Sequence, residues 1–216
     1  MSTFKAPSAF ATDAVSSATP LSLVKTVLSA GEGAGKSSLQ ILADNGYLCS
    51  SFAQKIEAAT GISAYNVDAF IGNIPGCIGE VSKLLLIAGG IYLLCRKIIT
   101  WHIPVAFLGS YAILTWVFGG IPLGLGVFHG EVIANLLRGG LILGAIFMAT
   151  DMVTSPVTHK GMIIFGCGCG FFTFLFRSFG SLPEATSVAI LIMNIVSPTI
   201  DRFCIPKRFG EEVKTK

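Results

Sequence analysis

From residue 71 onward the chain consists mainly of apolar runs separated by short loops, and this pattern restricts its possible folds more than any other feature. Charged residues make up only 12% of the sequence, whereas soluble domains carry about 25%. The interior of a bilayer offers the backbone no hydrogen-bond partners, so segments of this kind are expected to be helical. We therefore predict an all-α membrane protein.

About five membrane-spanning helices are expected, some of them short or broken. Four of the runs have clear limits, at Ile103 to Ile121, Val132 to Thr150, Gly161 to Phe176 and Thr186 to Ile200. In the first run only Leu84 to Cys95 is uniformly apolar, which is short for a span because a bilayer requires about 20 residues. This helix is therefore expected to begin near Gly76, with Glu80 and Lys83 at or inside the membrane interface.

The pattern divides the chain into a mixed polar segment 1–70, a helical bundle 71–205 and a basic tail 206–216. Short helices are predicted in the first segment, at Leu21 to Leu28, Ser38 to Asn45 and Ser51 to Thr60. The first 22 residues lack a basic region followed by an apolar one, so no signal peptide is expected there.

With five spans, most basic loop residues fall on one side of the membrane: Arg96, Lys97, His159, Lys160, Arg202, Lys207 and Arg208. The loop 122–130 on the other side has no Lys or Arg, and Arg177 is the one basic residue expected in the remaining loop there. The positive-inside rule then predicts a cytoplasmic C-terminus and an extracytoplasmic segment 1–70.

Several functions are disfavoured by the same sequence. A net charge of +3 without a single basic patch argues against nucleic-acid binding, and six cysteines without a CxxC pair suggest no metal or iron–sulfur centre. The glycine-rich stretch Ala30 to Ser37 imitates a phosphate-binding loop, but Ala30 occupies a position where that motif has glycine. We therefore interpret the stretch as a flexible loop, and an ATP-driven pump as a poor alternative.

Three charged residues in or beside the apolar runs are candidates for an ion pathway or a structural role. Glu80 and Glu184 precede short helices, where a carboxylate also stabilises the helix dipole by about 0.3–1 kcal/mol. Arg138 lies about two turns inside the third run, where a charge costs about 2.5–3.5 kcal/mol. It is expected to face the protein interior or to reach toward the interface. Glu131 is too distant for contact through helix geometry alone, so another partner is expected.

A polar tract, Asp13 to Leu21, precedes all of these features. Its hydroxyl residues and Pro20 favour a turn at Thr19. One interpretation is that Thr19 caps a helix with Pro20 at its first position. A second rests on likeness, because Asp13, Ser16, Ala18 and Thr19 resemble the acceptor motif of flavin transferases, which join FMN to a threonine hydroxyl through a phosphoester.

Three further stretches, 72–82, 148–158 and 179–184, resemble the same family in the expected order. The chain is similar to the D subunit of the Rnf complex, a membrane-bound ferredoxin:NAD⁺ oxidoreductase. It also resembles the related B subunit of the sodium-translocating NADH:quinone reductase. In that family the position before the motif's alanine is usually glycine, and here it is Ser17.

The resemblance implies an electron-carrying subunit of a redox-driven ion pump in the bacterial cytoplasmic membrane, not catalytic alone. FMN would be attached covalently at Thr19 by a flavin transferase, with riboflavin or a second flavin in the complete subunit. The partners would be other membrane and peripheral Rnf subunits. For Arg138 three partners remain open: a flavin phosphate, a carboxylate in a neighbouring subunit, or backbone carbonyls of a broken helix.

The family's D subunit has about ten membrane helices in two halves, similar to urea and ammonium channels. By this likeness the chain corresponds to the second half, and the other half would supply one wall of the flavin and ion pathway. A channel or carrier of that architecture without a redox role is the competing hypothesis, since short glycine-rich helices with Glu80, Arg138 and Glu184 suit it equally well.

Overall fold

The computed structural model describes residues 20–30, 35–45, 49–74, 79–180 and 185–204. These residues form helices and loops without a β-strand, which confirms the all-helical prediction for this part of the chain. The proposed acceptor residues Asp13, Ser16, Ala18 and Thr19 lie outside the described residues, as does Glu184.

Ten α-helices and one π-helical segment follow one another along the described chain. They are α1 (Pro20–Ser29), α2 (Ser38–Asp44), α3 (Ser51–Thr60), α4 (Ala64–Ile71), α5 (Lys83–Cys95), α6 (His102–Phe118), α7 (Val132–Leu137), α8 (Leu141–Leu143), the π-helical segment Gly144–Met148, α9 (His159–Ser178) and α10 (Thr186–Phe203).

The short helices of the first segment are held by side-chain caps, since they are too brief to be stable alone. Ser37 and Gln40 form a reciprocal capping box at the start of α2. Ser50 caps α3, and its backbone N–H and hydroxyl both donate to the buried carboxylate of Asp68 on α4, at 2.7 and 2.5 Å. The three predicted helices are confirmed to within one residue at each end, whereas α4 was not predicted.

Helices α6 and α9 run parallel and very close together. A β-carbon added to Gly166 would lie 2.9 Å from the carbonyl oxygen of Ile103, and one added to Gly170 would lie 2.7 Å from that of Phe107. Since both contact positions advance together, the two helices point the same way. Glycine permits backbone to approach backbone, as in other small-residue helix interfaces.

The remaining long segments run against this pair. On α9, Gly161 faces Ile200 and Gly168 faces Met193, so α10 is antiparallel to α9. Lys83 contacts Gly139 while Gly90 contacts Ile146, so α5 runs parallel to the segment 132–148. These parallel and antiparallel pairs have the relative directions that the predicted five-span topology requires.

Alternation gives the bundle two distinct ends. At one, which we call the basic end, the rings of His102 and His159 lie 4.6 Å apart, and Asp201 accepts a hydrogen bond from the Val157 N–H at 3.2 Å. Arg96, Lys97, Lys160 and Arg202 belong to this end by their positions in the chain. The opposite end carries α1 and the last turns of α6 and α9, and we call it the cleft end.

Within the described residues, one helix is long and apolar enough to cross a membrane by itself, namely α9 with 20 residues. Helices α5 and α6 are apolar but shorter, with 13 and 17 residues. The first predicted span, from about Gly76, is described as helix only from Lys83, and residues 75–78 lie outside the described part.

The prediction of one continuous span from Val132 to Thr150 is wrong. Helix α7 ends at Leu137, Arg138 is extended with φ −86° and ψ 138°, and Gly139 has a left-handed φ of 60°. The chain then resumes as α8 and the π-helical segment. Two consecutive glycines at 139 and 140 weaken a helix at this point, and buried charged side chains around the break stabilise the broken form.

Candidate functional site

The break in the third segment is built around the glycine pair. A β-carbon at Gly139 would lie 2.8 Å from Nη2 of Arg177, and one at Gly140 would lie 2.6 Å from Oε2 of Glu80. The positive φ of Gly139 also disfavours any other residue. Glycine at both positions therefore lets a guanidinium and a carboxylate approach the backbone.

Two buried cations bind the carbonyl groups that the break leaves without helical donors. Arg177, at the end of α9, donates from Nη1 to the carbonyl of Asn135 at 3.2 Å and from Nη2 to that of Arg138 at 3.0 Å. Lys83, at the start of α5, donates to the carbonyl of Gly139 at 2.8 Å and to that of Glu80. Unsatisfied carbonyls inside a membrane protein are costly, so these contacts stabilise the break.

Arg177 is also fixed on its own side. Its Nη1 donates to the Tyr111 hydroxyl at 3.3 Å, and its guanidinium lies 5.6 Å from the centre of the Tyr111 ring. The side chain is 7% exposed. The sequence placed Arg177 in a loop, and that prediction is wrong because α9 extends two residues beyond Phe176 and carries Arg177 into the interior.

Arg138 is even more deeply buried, with 2% of its surface exposed. Its Nη2 lies 4.0 Å from Oε2 of Glu131, and its guanidinium lies 5.4 Å from the centre of the Tyr65 ring on α4. The prediction that Glu131 is too distant is therefore wrong, because the extended backbone at Arg138 departs from the helical path that was assumed. The same carboxylate oxygen of Glu131 accepts a hydrogen bond from the hydroxyl of Ser38.

Two donors of Arg138 remain unused. Its Nε and Nη2 are buried and have no hydrogen-bond acceptor among the described residues. A buried, incompletely bonded guanidinium is costly, and such groups call for a functional explanation. The requirement for an interior partner, predicted from the cost of the charge, is thus met only in part by Glu131 and Tyr65.

Helix α1 lies against the break. The side chain of Leu21 comes within 3.8 Å of the position that a β-carbon on Gly139 would occupy. One turn later, Lys25 donates to the carbonyl of Gly180 at 2.8 Å, and also to that of Phe176. Burial, and secondarily the charge of Arg177, lower the pKa of Lys25.

A cleft of about 640 Å³ opens between α1 and the ends of α6, α7 and α9. Three basic residues line it, Lys25, Arg138 and Arg177, together with apolar side chains such as those of Leu21, Val24 and Phe179. Among the described residues that line it there is no Asp or Glu. Such a site suits a ligand that combines a flat apolar body with negative charge.

Two of the predicted site residues lie at the break: Glu80 faces Gly140, and Arg138 directly precedes the glycine pair. Glu80 is buried, with 6% of its surface exposed. Sequence reasoning missed Lys25 and Arg177 as members of the site. A basic residue directly after an apolar run, as Arg177 is, and a Gly-Gly pair after Arg138 were the available signals.

Comparison with known proteins gives consistent matches along nearly the whole chain. A family model described as the NQR2, RnfD, RnfE family matches residues 1–210. The chain is 41% identical over 210 residues to the D subunit of a proton-translocating ferredoxin:NAD(+) oxidoreductase complex from Clostridium ljungdahlii, covering 97% of this chain and 56% of the relative.

Two further relatives have similar names. The D subunit of a Na(+)-translocating ferredoxin:NAD(+) oxidoreductase complex from Acetobacterium woodii is 38% identical over 201 residues, which cover 92% of this chain and 50% of the relative. The D subunit of an ion-translocating oxidoreductase complex from Stutzerimonas stutzeri is 43% identical over 148 residues, 68% and 41% of the respective chains. The chain spans about half the length of the curated relatives it matches.

Proposed function

Because this chain belongs to the NQR2, RnfD, RnfE family, we propose that it is a membrane subunit of a redox-driven, ion-translocating oxidoreductase complex. Its relatives are named as D subunits of such complexes, two of which use ferredoxin and NAD⁺. One of those moves protons and the other sodium ions, so the coupling ion differs within the family. The proposed partners are the other membrane and peripheral subunits of an Rnf-type complex.

We further propose that the subunit carries FMN, joined by a flavin transferase to the hydroxyl of Thr19. The observation that carries this proposal is the basic cleft, whose lining begins at Leu21, two residues from Thr19. Its volume lies within the range of about 300–1,000 Å³ typical of small-molecule sites. The unused donors of Arg138 and the apolar lining from α1 fit a flavin, which has acceptors at its edge and a flat ring.

The bound flavin would supply the electron transfer itself, while this chain supplies position and electrostatics. Leu21 and Val24 offer an apolar wall that excludes water. Lys25 and Arg177 would supply positive charge to the phosphoester, and Arg177 also holds the broken helix.

The proposed orientation has the basic end in the cytoplasm and the cleft outside the cytoplasmic membrane. Clustering of Arg96, His159 and Arg202 at one end of the bundle supports it through the positive-inside rule. The alternating segments support a second proposal, that the chain provides one half of a ten-helix architecture similar to urea and ammonium channels. Electrons would then cross the membrane through cofactors in partner subunits.

The attachment is tested by expressing the chain together with a flavin transferase and running it on a denaturing gel. A fluorescent band is expected, and Thr19→Ala should remove it while leaving membrane insertion unchanged. Thr26→Ala is the matched control, since Thr26 is a second threonine, lies on α1 and lines the cleft. Asp13→Ala should weaken the band, because its proposed role is recognition by the transferase. Fluorescence that persists in Thr19→Ala would contradict the assignment.

A channel or carrier without a redox role is the second candidate. It is favoured by the broken helix with buried Glu80, Lys83 and Arg138, an arrangement known from transporters. Flavin content separates the two proposals, because a simple solute pathway has no use for a covalent flavin. Solute flux through reconstituted, flavin-free protein would favour this alternative.

A further inference from the structure

We propose that Arg138 binds the negative charge that a flavin in the cleft gains on reduction, and that it thereby raises the flavin's reduction potential. The inference rests on the proposed attachment at Thr19 and assigns a task to a residue whose burial is otherwise unexplained. It makes Arg138 a tuning residue of the redox centre rather than a part of the scaffold.

Arg138 has unused hydrogen-bond donors, whereas the other two cations of the cleft donate to the protein backbone. Lys25 and Arg177 line the same cleft, but they donate hydrogen bonds to backbone carbonyls of the protein. Arg138 has Nε and Nη2 without an acceptor among the described residues. These two groups lie on one edge of the guanidinium and fit two adjacent acceptors on a ligand. The pyrimidine edge of a flavin offers such a pair, a ring nitrogen beside a carbonyl oxygen.

The side chain of Arg138 also lies on a different side of the break from the start of α1. That start, next to Thr19, lies against Gly139 and the guanidinium of Arg177. The guanidinium of Arg138 instead lies near Glu131 and the ring of Tyr65, on the side of α2 and α4. A ligand in the cleft would therefore meet Arg177 and Arg138 on different sides of the break.

The charge around Arg138 is only partly balanced. The nearest carboxylate is that of Glu131, at 4.0 Å, and it is also engaged by the hydroxyl of Ser38. The cleft itself is lined by three cations and by no described carboxylate. In a buried site a positive charge is weakly screened, so it favours the reduced, anionic form of the ring over the neutral oxidised form.

The test is a spectroelectrochemical titration of the assembled, flavin-bearing complex. In it, dithionite gives two electrons to the ring and is oxidised to sulfite, while the ring takes up one proton and keeps one negative charge. The flavin absorbance gives the reduced fraction at each measured potential, and the midpoint potential is the one at which half of the flavin is reduced. Wild-type protein without covalent flavin would overturn the proposed function at the outset, independently of this inference.

Two substitutions are expected to act in opposite directions. Arg138→Gln should disfavour reduction about tenfold, which for a two-electron couple lowers the potential by about 30 mV. Glu131→Gln, which removes the competing carboxylate, should raise the potential, and Arg138→Lys should stay closer to wild type than Arg138→Gln. Arg202→Gln removes an exposed guanidinium at the end of α10, at the opposite end of the bundle, and is the control that should leave the potential unchanged.

The outcomes are distinct. An unchanged potential in flavin-bearing Arg138→Gln overturns the inference, as does a shift of the same sign in Arg138→Gln and Glu131→Gln. If Arg138→Gln carries less covalent flavin but the flavin that remains has an unchanged potential, Arg138 binds the phosphoester instead, which also overturns the inference. If Arg138→Gln fails to assemble, the sign of the Glu131→Gln shift still decides.

Discussion

Replacing Arg177 with methionine is expected to release the broken helix from α9. The substitution keeps an unbranched side chain but removes the donors that bind the carbonyls of Asn135 and Arg138. A buried acceptor left without a donor costs about 1–3 kcal/mol, so two of them cost about 2–6 kcal/mol. Removing a buried charge offsets part of this loss, and we expect a net destabilisation of about 2–4 kcal/mol.

For a chain of this size, 1 kcal/mol shifts the melting temperature by about 2–4 °C, so Arg177→Met should lower it by about 5–15 °C. The core residue Cys169 is fully buried and provides a reporter, since its thiol reacts with a fluorescent dye only after unfolding. The other five cysteines, Cys49, Cys77, Cys95, Cys167 and Cys204, are first replaced by alanine. The measurement is made in detergent during a temperature ramp.

Arg202→Met is the matched control, because Arg202 is exposed at the end of α10 and its loss should leave the melting temperature unchanged. Arg177→Lys should fall between methionine and wild type, since an ammonium reaches fewer of the acceptors at once. A melting temperature of Arg177→Met within about 1 °C of wild type would refute the reasoning, because the two carbonyls would then not depend on Arg177.

Two other changes test the packing elsewhere. Gly170→Ala should destabilise the bundle by about 1–3 kcal/mol, because the new β-carbon would overlap the carbonyl of Phe107. The same dye assay measures this change. Gly109→Ala is the control and should lose much less stability, because its new β-carbon would meet nothing within 4 Å. Asp68→Ala removes the acceptor for the N–H and hydroxyl of Ser50, and amide exchange in α3 should rise by about tenfold or more. Unchanged exchange in α3 would show that its start is held by other contacts.

The helical character of the main segments was predictable because a long run of apolar residues can satisfy its backbone in a membrane only as a helix. The short helices α2 and α3 were predictable because serines at 37 and 50 cap them locally. The break at 138–140 was missed because hydropathy takes no account of backbone conformation. Its local signal was the glycine pair, which costs a helix about 1 kcal/mol per residue.

The candidate site was predictable only in part for a related reason. Arg138 stands out in the sequence because a charge in an apolar run is costly, and this cost is local information. Its neighbours Glu131 and Tyr65, and the role of Arg177, depend on how α4, α7 and α9 meet. Such tertiary contacts leave no periodic trace in the chain.

The glycine contacts between α6 and α9 also have a mechanical consequence. Because Gly166 and Gly170 accept the backbone of α6 at one register only, sliding the two helices would drive side chains into carbonyl groups. The pair therefore behaves as one rigid unit, which carries both Tyr111 and Arg177. A displacement within the bundle would then be taken up by residues 138–148, where the hydrogen bonding already departs from an α-helix. The rigid pair would keep Arg177 in place while residues 138–148, beside the cleft, move.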